Sequence, residues 1–232
     1  MTEGSYKQFC PVAMASEVLC TRWTMMLVRE LLLGTSRFND LRRGVPRMSP
    51  ALLSKRLKDL EAAGIVKRSK AAKGPDLYEY RLTDAGRALK PVIDALGDWG
   101  HRWVTTEATL AHLDVSLLMW NMRRNIDPKP MPRERSVIQF IYTDLAPSKR
   151  NWWLIVEPGV EPDLCSVDPG HEVDLYVTSD LRTMTEVWMG YSTAARAMKD
   201  ERLLLTGKRN LEASFQKWLG ASRFAKMEKC VA

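Results

Sequence analysis

Apolar positions in the first fifty residues recur at the spacing of short consecutive helices. From Pro11 to about Leu33 they return every three or four residues, and the pattern breaks near Cys20, which predicts two helices. A third, short helix is predicted from Phe38 until Pro46 stops it.

A fourth helix is predicted from Ser49 to Gly64. Serine suits the N-cap and Pro50 suits the first helical turn, where its missing N–H costs nothing. Its inward stripe is Leu53, Leu57 and Leu60.

The pattern then changes to alternation, which predicts a β-hairpin. Residues 65–67 and 77–82 form its strands, and the Lys/Gly/Pro segment 71–76 forms its turn. A long helix capped at Thr83 or Asp84 follows and is predicted to reach about Trp103. Its broad apolar stripe consists of Leu89, Val92, Ile93, Leu96, Trp99 and Trp103.

The second half begins with a helical pattern over 105–130 and a proline-containing segment, 127–132, that cannot be regular helix. Strands are predicted at 137–142, 152–156, 164–167, 173–178 and 203–205, with helices after Asp180 and over 210–219. We therefore expect an α+β protein. Its predicted parts are a helical and hairpin domain at 1–105, a bridging helix and linker at 106–132, and a sheet covered by helices at 133–232.

Charge distinguishes the two halves. The net charge of +7 lies entirely in residues 1–105, because residues 106–232 hold equal numbers of basic and acidic side chains. Clustered Lys and Arg favour a polyanionic partner such as nucleic acid, since they displace its condensed counterions. A basic surface that only confers solubility is the alternative.

The order of helices followed by a hairpin is that of a winged helix-turn-helix. The Cys10-Pro11 start, the Trp23 segment through Arg29-Glu30-Leu31, the RFNDLRR block at 37–43 and MSPALLSKRLKDLE at 48–61 resemble the HxlR-type family of bacterial regulators. The resemblance covers about residues 8–103. It implies binding of double-stranded operator DNA, with the fourth helix as the recognition helix.

A recognition helix presents one side to the protein core and the other to DNA. Ser54 and Lys55 are predicted to contact bases, and Arg37, Arg47 and Lys58 to contact phosphates. The remaining candidates are Ser49, Ala51 and Arg56 on the helix, with Lys70 and Lys73 on the wing. A solvated helix face with no DNA role is the alternative.

The resemblance implies that the stripe on the long helix joins two copies as a homodimer. Two-fold symmetry then predicts a near-palindromic operator. Packing of the same stripe against the second domain of its own chain would also explain the pattern.

Residues 174–219 resemble the end of a sterol carrier protein type domain. The resemblance implies a sheet covered by helices around an apolar tunnel, and hence a sensor of an apolar small molecule. Predicted ligand contacts are Trp152, Leu154, Met184, Trp188 and Met189. A filled core without any ligand is the alternative.

Cys10 precedes a helix start, where the helix dipole favours a thiolate, so we consider a redox role there. A buried apolar role is the alternative. The cysteines and histidines show no metal spacing, and no nucleophile or phosphate-loop motif occurs, so no cofactor, no metal and no enzymatic activity are expected. The four scattered cysteines suggest no disulfide framework, which favours a reducing cytoplasm. The polar start and the lack of a long apolar run predict no membrane span.

These patterns favour a dimeric DNA-binding transcription regulator whose operator affinity responds to an apolar molecule in the second domain. The competing hypothesis is a carrier of apolar ligands, or an interaction protein, whose winged helix no longer binds DNA. Salt-sensitive DNA binding separates the two.

Overall fold

The computed structural model describes residues 5–70 and 78–231. The helices are α1 Pro11–Leu19, α2 Thr24–Leu32, α3 Phe38–Gly44, α4 Pro50–Ala62, α5 Asp84–Arg87, α6 Lys90–Trp103, α7 Thr106–Leu110, α8 Val115–Arg124, α9 Pro147–Arg150, α10 Leu181–Met189, α11 Ala194–Lys199, α12 Arg209–Ala213 and α13 Phe215–Leu219. The strands are β1 Val66–Lys70, β2 Tyr78–Leu82, β3 Ser136–Tyr142, β4 Asn151–Val156, β5 Asp163–Cys165, β6 Leu175–Ser179 and β7 Leu203–Gly207. The chain divides into two compact units between Trp99 and Gly100, within α6.

The core of the first unit forms where α2, α3, α4 and the hairpin meet. Its most buried side chains include Leu27, Leu41, Leu53 and Leu57. β1 and β2 pair antiparallel. The segment before α3 extends this small sheet, since the Tyr80 N–H donates to the Ser36 carbonyl at 2.8 Å.

The predicted helix from Asp84 to Trp103 is two helices. α5 ends at Arg87, a turn follows, and α6 begins at Lys90. Pro91 explains the break, because it has no N–H to donate to the carbonyl of Arg87 four residues earlier.

The second unit is built on a mixed five-stranded sheet in the order β5-β4-β3-β6-β7. The central pair, β3 and β6, is parallel, and the other pairs are antiparallel. Alternate residues of β3, such as Phe140 and Tyr142, belong to the main core. Burial, and to a smaller degree the charge of Asp144, raises the pKa of the Tyr142 phenol, whose hydroxyl lies 3.0 Å from the sulfur of Met119. The Tyr142 phenol is therefore neutral and is surrounded by the apolar core of the second unit.

Residues 106–132, which the sequence analysis placed between two domains, contribute to the second unit. α8 is capped by the Asp114 carboxylate, which accepts from the Leu117 N–H at 3.1 Å. Met119 on this helix is fully buried in the core, and Met131 from the proline-containing segment joins it.

The second unit also contains elements that the apolar pattern did not predict. α11 begins after Thr193, whose hydroxyl accepts from the Arg196 N–H at 3.1 Å, and α9 follows Ala146. The predicted final helix over 210–219 is two short helices that meet at Ser214. Over 5–70 and 78–231, no helix has both the length and the apolar character needed to cross a bilayer.

Candidate nucleic-acid interface

Helix α4, the predicted recognition helix, has one buried side and one open side. Its stripe of Leu53, Leu57 and Leu60 is buried in the core of the first unit, as predicted. Ser49 caps it, with its hydroxyl accepting from the Leu52 N–H at 3.3 Å. The open side carries Ala51, Lys55 and Lys58, which are exposed, and Ser54, which is half-buried.

Arg56 faces differently from its neighbours. Its side chain is only 15% exposed, its Nη1 lies 2.8 Å from the Asp59 carboxylate, and its Nε donates to the Arg22 carbonyl at 3.1 Å. The last contact fixes the turn between α1 and α2, in which Trp23 has a left-handed φ of 79°. A bulky residue holds that conformation only where its surroundings enforce it. Arg56 therefore joins that turn to α4.

Helix α3, which precedes α4, is fixed by a buried charge that the sequence analysis did not identify. Glu30 is fully buried on α2 and accepts from Arg29 Nη2 at 2.6 Å. The same Arg29 nitrogen donates to the Gly44 carbonyl at 3.2 Å, at the end of α3. The signal was available in the sequence, because Arg29 and Glu30 interrupt an apolar helical run.

Gly44 is required at this junction by space rather than by backbone conformation. A Cβ added there would lie 2.1 Å from the carboxyl carbon of Glu30. The ion pair and the missing side chain together set how closely α3 approaches α2. They therefore fix the turn that leads into α4.

The predicted flanking contacts lie on both sides of α4. Arg37 and Arg47 are exposed, at the N-cap of α3 and in the turn before α4. Lys70 is exposed at the end of β1, where the hairpin extends as a wing, and the Arg68 guanidinium lies 3.6 Å from the Tyr78 ring centre. Lys73, predicted at the wing tip, lies outside the described residues.

The stripe predicted for dimerisation divides into two groups. Leu89 and Ile93 pack against the core of the first unit. Val92, Leu96, Trp99 and Trp103 are exposed, with Trp99 59% exposed. Val92, Leu96 and Trp99, three large apolar side chains of the first unit, form an open patch on α6 of the kind that marks association surfaces. Trp103, the last predicted member of the stripe, belongs to the second unit.

The side chains predicted to bind a ligand lie in or against the core of the second unit. Leu154, Met184 and Trp188 are buried there, and Trp152 and Met189 pack against it. Trp152 donates its indole N–H to the Lys149 carbonyl at 3.0 Å. Core packing accounts for the apolar pattern of all five.

Cys10 lies at the N-cap of α1, as Pro11 predicted, and is half-buried. None of the four cysteines, which all lie within the described residues, forms a disulfide bond. A redox role for Cys10 stays a prediction. Within 5–70 and 78–231, no cluster of three His, Cys, Asp or Glu side chains could hold a metal ion.

A helix-turn-helix with a basic outer face, followed by a two-stranded wing, defines the first unit as a winged helix-turn-helix of the DNA-binding class. Residues 18–108 match the family model described as HxlR-like helix-turn-helix. The chain is 38% identical over 98 residues to the uncharacterized HTH-type transcriptional regulator YvaP of Bacillus subtilis, covering 42% of this chain and 91% of YvaP. The chain belongs to the HxlR-like helix-turn-helix family of transcriptional regulators.

Other similarities cover the same share of the chain. The HTH-type transcriptional regulator Rv3095 of Mycobacterium tuberculosis is 39% identical over 95 residues, which are 40% of this chain and 58% of Rv3095. The reduced form of the transcriptional regulator YodB from B. subtilis is 31% identical, with a TM-score of 0.36, covering 40% of this chain and 92% of that structure. The resemblance of the second unit to a sterol carrier protein type domain stays a prediction.

Proposed function

We propose that this protein regulates transcription by binding a near-palindromic operator as a homodimer, with α4 of each copy in the major groove. The observation that carries the proposal is the outward face of α4, where Ala51, Lys55 and Lys58 are exposed opposite the buried leucine stripe and the half-buried Ser54 lies at the edge of that face. Small groups near the helix start permit close approach to base edges, and the ammonium groups can donate to guanine or to phosphate.

In this arrangement Ser54 and Lys55 read bases, while Lys58, Arg37 and Arg47 bind phosphates on either side. Lys70 extends the contact along the wing, with Lys73 as a further candidate. Arg56 acts indirectly, because its contacts with Asp59 and the Arg22 carbonyl hold α4 against the turn before α2.

The dimer is proposed from the open patch on α6, made of Val92, Leu96 and Trp99 of the first unit. Two copies related by a two-fold axis would bury the patch and place the two recognition helices about one DNA turn apart, or a multiple of it. Linking two half-site contacts raises affinity far beyond that of a single copy.

The dimer is tested by sedimentation velocity of the full chain and of Trp99→Asp, with Leu33→Asp as the matched control. Leu33 is also an exposed apolar residue, but it lies at the end of α2. We expect a dimer for the wild type and for the control. We expect a monomer for Trp99→Asp, with operator affinity reduced at least about tenfold. A monomeric wild type, or a dimeric Trp99→Asp, contradicts the proposal.

We also propose a regulatory role for the second unit, in which a small molecule with an apolar body binds there and changes operator affinity. The support is the resemblance of residues 174–219 to a sterol carrier protein type domain. The effector would act only through a difference in its affinity for the two states of the protein.

A further inference from the structure

A cleft in the second unit lies between the proline-containing segment and the loop after β4. Its volume is about 350 Å³, within the range of small-molecule sites. It is lined by Pro128, Lys129, Met131, Pro132, Arg133, Val156, Pro158 and Gly159. None of the five side chains predicted to bind a ligand lines it.

Local hydrogen bonds hold one wall of the cleft in place. The Asp127 N–H donates to the Trp218 carbonyl at 2.9 Å, which ties the segment to the core. The Asp127 carboxylate accepts from the Lys129 N–H at 3.0 Å, and the Met131 N–H donates to the Pro128 carbonyl at 3.0 Å. Prolines restrict the backbone further. A ligand would therefore meet a preformed wall and lose little affinity to ordering it.

The base of the cleft is apolar. Met131 and Val156 line it and are also members of the main core, with only a small fraction of each exposed. Pro128, Pro132 and Pro158 add ring surface and no N–H donor. These walls favour the apolar body of a ligand.

The described side chains that line the cleft include two cations and no carboxylate, although the Asp127 carboxylate lies beside the segment. Lys129 and Arg133 both line it and are exposed, and over 5–70 and 78–231 neither side chain has a carboxylate partner. The acidic residues of the adjoining loop are already paired: Glu157 with Arg135 at 2.5 Å, and Glu161 with Arg123 at 3.0 Å. Two cations beside an apolar base select an anion with an apolar body.

We propose that this cleft binds a compact monocarboxylate with an aromatic or branched apolar body, whose carboxylate meets Lys129 and Arg133. Met131, Val156 and the three prolines contact its body. The claim that this ligand regulates operator affinity rests on the proposed regulatory role of the second unit. The claim that the cleft binds the ligand depends only on the residues that line it.

The test is isothermal titration of the full chain, without DNA, with 2-naphthoate and with its neutral analogue 2-naphthalenemethanol. We expect saturable binding of 2-naphthoate and about tenfold weaker binding of the alcohol, because the charge-assisted hydrogen bonds are lost. Lys129→Gln and Arg133→Gln should each weaken 2-naphthoate binding about five- to tenfold. Arg209→Gln, which removes an exposed arginine on α12, should bind as the wild type does.

The site is overturned if 2-naphthoate does not saturate, if the alcohol binds equally well, or if Arg209→Gln weakens binding as much as the cleft variants do. Operator affinity is measured separately, with and without saturating 2-naphthoate. Binding that leaves operator affinity unchanged supports the site and removes its regulatory role. Absence of 2-naphthoate binding removes the site and leaves the DNA proposal standing.

Discussion

At the scale of single residues, the DNA-binding unit depends on a buried carboxylate and the glycine that makes room for it. Glu30 has no solvent contact and is held by the Arg29 guanidinium, which also binds the Gly44 carbonyl. Removing a partner from a buried charge is costly, because the remaining charge is left without compensation. This pair therefore constrains α3, and through it the entry to α4.

Gly44→Ala should destabilise the first unit by about 3 kcal/mol. The new Cβ would overlap the Glu30 carboxyl group and force either the helix or the carboxylate to move. Hydrogen exchange measured by mass spectrometry on the α2 and α3 peptides reports this free energy of opening. Asn39→Ala, an exposed change on the same helix, should stay within about 0.5 kcal/mol of the wild type. Equal hydrogen-exchange protection of the α2 and α3 peptides in Gly44→Ala and Asn39→Ala would contradict the requirement for glycine at position 44.

At the scale of elements, helix ends were predictable where a short polar side chain signals them. Ser49 and Asp180 both cap the helices that the sequence predicted. Thr193 caps α11 in the same way, but the helix was missed because its buried residues, Ala194 and Ala197, are too small to stand out in an apolar pattern. A cap can therefore be a stronger local signal than hydrophobicity.

Ser49→Ala should lower the stability of α4 by about 1 kcal/mol, because the Leu52 N–H loses its acceptor. Ser49→Thr keeps a hydroxyl at the N-cap and should remain close to the wild type. Exchange protection of the α4 peptide measures both. If the α4 peptide has the same exchange protection in the alanine and threonine variants, capping by Ser49 contributes nothing to the stability of the helix.

Contacts between residues that are far apart in the chain could not be predicted from the sequence patterns. Arg56 was predicted among the DNA contacts because it flanks the outer face of α4. Its partner is a backbone carbonyl, that of Arg22, 34 residues earlier in the chain. The cleft in the second unit is likewise lined by two separate segments, residues 128–133 and residues 156–159. Such contacts depend on how elements pack, and periodicity within one element does not encode them.

At the scale of the whole molecule, most of the net positive charge lies in the first unit. The excess of basic residues falls within the first 105 residues, and the structure places Arg37, Arg47, Lys55 and Lys58 at exposed positions there. The DNA-binding class was predictable because motif spacing, helix order and charge all agreed. The role of the second unit was less predictable, since an apolar stripe has the same appearance in a filled core and in a ligand site.

The measurement that tests the central claim most directly is fluorescence anisotropy with DNA from upstream of the protein's own gene and with a scrambled duplex, at two salt concentrations. The wild type should bind its own upstream DNA more tightly than the scrambled duplex. Its affinity should fall with salt, and a plot of log affinity against log salt concentration should have a slope of roughly −0.9 for each phosphate contact. Ser54→Ala with Lys55→Ala should lose the preference, whereas Lys199→Ala, an exposed change on α11, should retain it. No binding to either duplex at low salt, or an unchanged preference in the double variant, would contradict the account.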